Sequence, residues 1–165
     1  MELKIMLVDD EPKVLRGLRS MIEHSGENWK ITGEYKNGVE GLAAILNDCP
    51  DVVVTDIKMP CMDGLEMAER SAKAAPNLKF VILSGFADFT YAQQALRLGT
   101  ADYILKPPNA MDIMNSLKRV HAQLEEEARL KQEQDELQRF RQVSSQLFQD
   151  QLFEELLYAQ NPMET

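Results

Sequence analysis

Five short apolar runs alternate along the chain with five segments whose apolar side chains fall at helical spacing. The runs are LKIMLV (3–8), WKITGEY (29–35), DVVVT (51–55), KFVIL (79–83) and ADYIL (101–105). Between them, Pro12 to Glu23 carries Val14, Leu15, Leu18 and Ile22 on one helical face. Val39 to Leu46 is a short helix opened by Asn37-Gly38, and Leu65 to Ala75 is a third, stopped by Pro76. A fourth helix at about 88–98 is closed by Gly99. Such alternation dictates an α/β domain built on a parallel sheet.

VVVTD is the most apolar run and suits a strand covered on both faces, whereas WKITGEY alternates weakly and suits an edge. The expected architecture is therefore a doubly wound, flavodoxin-like five-stranded sheet of order 2-1-3-4-5. In such sheets the ligand site lies beyond the carboxyl ends of the strands. Asp9, Asp10 and Glu11 follow the first strand, Asp56 closes the third, Ser84 and Gly85 follow the fourth, and Lys106, Pro107 and Pro108 follow the fifth.

Each of these residues has a local alternative. Asp10 can cap the helix at Pro12, Asp56 can form a turn, Ser84 can cap a helix, and Lys106 can be a solvated surface charge. Their joint placement on one rim argues for a site. Two carboxylates ~4 Å apart repel by about 4 kcal/mol at an effective dielectric near 20, so such a cluster binds protons or a cation. An all-oxygen set beside one lysine suits Mg2+, which keeps several waters and needs only one or two carboxylates.

MLVDDEP, VVVTDIKMPCMDG, VILSGF and DYILKP, in this order and spacing, resemble the receiver domain of bacterial two-component response regulators, with a CheY-like fold, over about residues 2–122. The resemblance implies that Asp56 is the phosphoacceptor. It further implies that Asp10 and Asp56 bind Mg2+ directly, with Asp9 acting mainly through water and the Lys58 backbone carbonyl as a further ligand. Lys106 would neutralise phosphate oxygens, and its bond to Pro107 would be cis. Ser84 and Tyr103 would read out the modification: the Ser84 hydroxyl donates to the phosphate and Tyr103 turns inward to fill the space it leaves. The segment SGFADFTYAQQALRLGTADYILKP is similar to YesN-like receivers that precede an AraC-type helix-turn-helix output. Phe86, Phe89 and Tyr91 are expected to be packing residues of the fourth helix.

The formal net charge of -9 argues against direct nucleic-acid binding, and no basic face is evident. Two cysteines outside any CxxC pattern, a start without signal-peptide design, and no long apolar run point to a cytoplasmic chain with no membrane span. From about Met111 to Tyr158 there is no glycine or proline, so one long helix is expected. Ile113, Leu117, Val120 and Leu124 follow 4-3-4 spacing; Leu130, Leu137, Phe140 and Leu147 follow 7-3-7 after a slip near Glu125–Ala128. The expectation is a receiver at 1–122, a helical linker forming a parallel homodimeric coiled coil at 123–146, and an amphipathic start of a further domain at 147–165.

The function expected is a switch that takes a phosphoryl group from a sensor histidine kinase and relays the change through the last helix towards a transcription-regulating output. It would catalyse its own phosphorylation and dephosphorylation without a turnover substrate. Two alternatives stand. A haloacid-dehalogenase-like phosphatase would need DxDx[TV], where this chain has Lys58; a purely structural oligomerisation module would leave the acidic set unused.

Overall fold

The computed structural model describes residues 1–85 and 89–160. The first of its two compact units runs from Met1 to Ala122, and the second begins at Gln123. In chain order the elements are β1 (Leu3–Val8), α1 (Pro12–Glu23), β2 (Trp29–Tyr35), α2 (Gly38–Asp48), β3 (Val52–Asp56), α3 (Gly64–Ser71), β4 (Lys79–Ser84), α4 (Phe89–Arg97), β5 (Asp102–Leu105) and α5 (Ala110–Gln160). The strands form one parallel sheet of order β2-β1-β3-β4-β5. That is the expected flavodoxin-like arrangement. No helix among the described residues is long and apolar enough to cross a membrane.

β3 sits at the centre because its β-branched run has no polar face to offer water. All five of its residues are buried, including Thr55 and Asp56. Helices close the faces: Leu15, Leu18 and Ile22 of α1 and Ile113, Leu117 and Val120 of α5 are buried. Leu65, Met67 and Ala68 of α3 join Met6, Val8, Val53, Phe80 and Ile82 in one core cluster. Tyr91 and Tyr103 pack against this cluster while remaining partly exposed. Phe89, in contrast, is 75% exposed and is not the packing residue expected of it; Phe86 lies outside the described residues.

Local chemistry sets the helix ends. Asn37 accepts from the Glu40 amide at 2.9 Å and Asp63 from the Glu66 amide at 2.7 Å, satisfying first-turn donors of α2 and α3. α3 ends at Ser71, earlier than the expected Ala75. Pro76 has no amide hydrogen and disfavours helical backbone at the residue before it, so the last turn loosens after Ser71. Gly99, at φ +71, ends α4 in the left-handed conformation that glycine adopts without steric cost.

One glycine controls the site directly. Gly64 donates its amide to the Ile57 carbonyl at 2.8 Å, and a Cβ there would stand 2.0 Å from the Asp56 carbonyl oxygen. Only a residue without a side chain lets the loop after β3 return this close to Asp56. Gly64→Ala is expected to lower unfolding stability by about 1–3 kcal/mol in urea titration, the usual cost of overpacking. An unchanged midpoint would mean that the loop relaxes freely.

Candidate functional site: an acidic rim locked by one lysine

Parallel pairing aligns the carboxyl ends of the strands. Val8 of β1 stands opposite Thr55 of β3, so Asp9 and Asp56, each the next residue, emerge side by side. Asp56 pairs with Leu83, which sets Ser84 one step beyond, and Ser84 in turn pairs with Leu105. The Lys106 amide donates to the Ser84 carbonyl at 2.8 Å, and the Lys106–Pro107 peptide is cis. Trp29 pairs with Leu3 at the opposite end of the sheet, remote from this rim.

The Lys106 side chain crosses the rim. Its Nζ lies 2.8 Å from Asp9 Oδ2, 2.9 Å from Asp56 Oδ2 and 3.5 Å from Glu11 Oε1. Asp9 and Asp56 are only 1% and 7% exposed. The remaining oxygens are tied to the backbone: Asp9 Oδ1 accepts from the Glu11 amide at 2.9 Å, and Asp56 Oδ1 from the Ile57 amide at 2.7 Å. Asp9, rather than Asp10, thus anchors the turn into α1. Asp9 Oδ2 is ion-paired to Lys106 but has no donor aligned for a hydrogen bond, leaving a buried anionic oxygen incompletely satisfied.

Asp9, Asp10, Glu11 and Asp56 each bring one carboxylate oxygen into a group whose members all lie within 4.8 Å of one another. This donor set is hard, anionic and all-oxygen, and fits a divalent cation of the Mg2+ type. Glu11 is the member that sequence reasoning did not assign to the site. Its adjacency to Asp9-Asp10 is the signal that could have found it. Ser84 is 1% exposed at the end of β4, and Tyr103 is half-buried on β5. The exposed Lys58 side chain leaves the rim, its Nζ standing 5.7 Å from the Tyr91 ring centroid. An open groove of about 480 Å³, lined in part by Val14, Leu18, Met21, Pro107 and Pro108, adjoins Lys106.

Burial works against charge at this site, and the two buried partners respond differently. Burial pushes the Asp9 carboxyl above its ordinary value, despite the opposing Lys106 contact. Burial also opposes the charge of Lys106, but its close contacts with Asp9 and Asp56 and their negative charges outweigh it, pushing the ammonium up to about 12. The Lys106 contribution to stability is therefore complete below the ordinary lysine value of about 10.4 and is lost as pH rises through the higher one. The Asp9 carboxyl has the same sign in pH at a lower window: its folded value is also raised, so stability is lost as pH rises from the ordinary carboxylate value through the raised one.

Five parallel strands in this order, with a lysine-locked acidic rim at their carboxyl ends, define a flavodoxin-like regulatory domain. The chain belongs to the response regulator receiver family of two-component signalling: the model described as Response regulator receiver domain matches residues 5–118. It is 38% identical over 144 residues to the uncharacterized transcriptional regulatory protein YesN of Bacillus subtilis, covering 83% of this chain and 39% of that one. It is 31% identical over 119 residues to the putative positive transcription regulator of virulence factors BvgA of Bordetella pertussis, covering 72% of this chain and 56% of the relative. The chain thus spans between two fifths and three fifths of these relatives. Among solved structures it matches the receiver domain of the response regulator AraT of Geobacillus stearothermophilus, with TM-score 0.72 and 33% identity, over 78% of this chain and 99% of that one. A CheY-like receiver domain from Methanospirillum hungatei matches with TM-score 0.68 and 30% identity, over 76% and 99% of the two chains.

Asp9→Asn removes one buried negative charge from an over-acidic cluster. In metal-free buffer at pH 7 it is expected to raise Tm by about 2–4 °C, the shift that ~1 kcal/mol produces in a domain of this size. Divalent-cation affinity, read by calorimetry, should fall in the same variant. It should also fall in the parent as pH is lowered towards the raised Asp9 value, because proton and cation compete for one oxygen set.

Proposed function

We propose that Asp56 is the phosphoacceptor of a phosphorylation-dependent switch, supplied by a sensor histidine kinase. The observation that carries this reading is the Lys106 ammonium bridging Asp56 and Asp9 at the end of the central strand. In the transfer, a carboxylate oxygen of Asp56 bonds to phosphorus as the phosphorus–nitrogen bond of the donor phosphohistidine breaks, and the imidazole leaves with its electron pair. A carboxylate is a weak nucleophile until it is positioned, and aspartyl phosphate is an established covalent intermediate. The Ile57 amide orients one Asp56 oxygen. Lys106 then balances charge on the phosphoryl oxygens.

Asp10 and Asp56 would hold Mg2+ directly, with Asp9 through water and the Lys58 carbonyl as a further ligand; Glu11 belongs to the same oxygen set. When bound, Mg2+ supplies charge neutralisation between the attacking carboxylate and the phosphoryl oxygens. The readout assigned to Ser84 and Tyr103 rests on their places at the end of β4 and on β5. Ser84 donates its hydroxyl to the phosphate, and Tyr103 turns from its partly exposed position into the space released. This self-phosphorylation and its hydrolysis are the only chemistry proposed.

We place the receiver at 1–122 and a helical linker at 123–146, with 147–165 leading into a further domain. The chain forms a homodimer through α5 and passes the switch to a transcription-regulating output outside these residues. A cytoplasmic location follows from this role, as does indirect rather than direct contact with DNA.

Asp56→Asn should abolish acid-labile phosphate uptake from a phosphorylated histidine kinase. Phosphate retention equal to that of the parent would overturn the assignment. Lys106→Met should keep cation binding but slow phosphate uptake by at least about tenfold, measured by phosphoprotein electrophoresis.

A further inference from the structure

Beyond Leu124, α5 leaves large apolar side chains in water: Leu137 is 51% exposed, Phe140 70%, Val143 58%, Leu147 64% and Phe148 66%. In heptad terms Leu130, Leu137 and Ser144 share one core position, with Phe140 and Leu147 at the other. Val143 and Phe148 then flank the seam. Glu133 falls at a core position too, but is drawn aside by Arg129 of its own helix.

The charges flanking this seam select a partner. In a parallel, in-register pair, each residue before the first core position meets the residue five places further along the other helix. Glu136 then meets Arg141, and Val143 meets Phe148. Arg141 has no ion-pair partner among the described residues, and its own helix offers none: positions 137, 138, 144 and 145 are Leu, Gln, Ser and Ser. Arg129 of the same helix, by contrast, is held by both Glu126 and Glu133. Among the described residues Glu136 has only a 3.5 Å contact from Gln132. An antiparallel pair can satisfy Arg141 through Glu127, but that register sets Leu137 against Glu133 and Ser144 against Glu126 in the seam. It also sets Leu147 against the polar Gln123.

We infer that residues 130–148 of α5 pair in parallel and in register with the same segment of a second copy of this chain, fixed by Glu136 against Arg141. The inference rests on the homodimer reading above and adds its orientation and register. The single-residue reversals Glu136→Arg and Arg141→Glu are each expected to weaken dimer formation roughly five- to tenfold in sedimentation equilibrium of the whole chain, because two symmetric pairs turn repulsive. The double reversal should restore it to within about twofold. Ser144→Cys, in a chain carrying Cys49→Ser and Cys61→Ser, should cross-link under mild oxidation. Dimers that persist unchanged in the single reversals, or that the double reversal fails to restore, or that do not cross-link, overturn the register alone. A parent chain that stays monomeric at every concentration overturns the dimer itself, and circular dichroism of each variant separates loss of pairing from loss of helix.

Discussion

The contact on which the site depends is the Lys106 ammonium between two buried carboxylates. At an effective dielectric near 20, each of its close contacts is worth about 6 kcal/mol of Coulomb attraction, whereas carboxylate oxygens at 4.8 Å repel by about 3–4 kcal/mol. One ammonium can therefore hold Asp9 and Asp56 together against their repulsion. It cannot also neutralise Asp10 and Glu11, which stay exposed where water screens them. With four carboxylates against one ammonium, the rim is still three positive charges short of neutrality. A donor set with this charge deficit fits a hard cation.

Much of this was legible in the chain because the sheet gathers distant residues in a simple way. Once the apolar runs were ordered, every strand end became a position on one rim, and Asp9, Asp10, Asp56 and Lys106 fell together without knowledge of a single side-chain angle. The boundaries of α1 and β2 match their periodicity because Pro12 and the weak alternation of WKITGEY mark them locally. The features that stayed hidden depend on distances sequence does not encode. Glu11 reaches the cluster through the path of one turn. Gly64 matters because a backbone oxygen of Asp56 passes where its side chain would be. Phe89 looked like a core residue by chemistry alone, yet it begins α4 on a face that nothing covers among the described residues.

The last helix obeys different physics in its two parts. Up to Val120, apolar residues at 4-3-4 spacing are buried and tertiary packing holds the helix. Beyond Leu124 the described residues are exposed, and local pairs such as Arg129 with Glu126 and Glu133 are screened by water and contribute little. Such pairs favour helix over coil but do nothing for five exposed apolar side chains between Leu137 and Phe148. Burial of apolar surface is worth about 25 cal/mol per Å² removed from water, so covering these side chains would stabilise this part of α5 far more than its local pairs do.

These two regimes meet through β5. Its last residue is followed by Lys106, whose amide is bonded to Ser84 and whose ammonium is bonded to Asp56. Four residues earlier in the same short strand, Asp102 holds Arg119 of α5. The first turns of α5 are therefore fastened to the strand that also carries the cation of the rim. The cation of the rim and the early turns of α5 are thus tied to the two ends of one short strand.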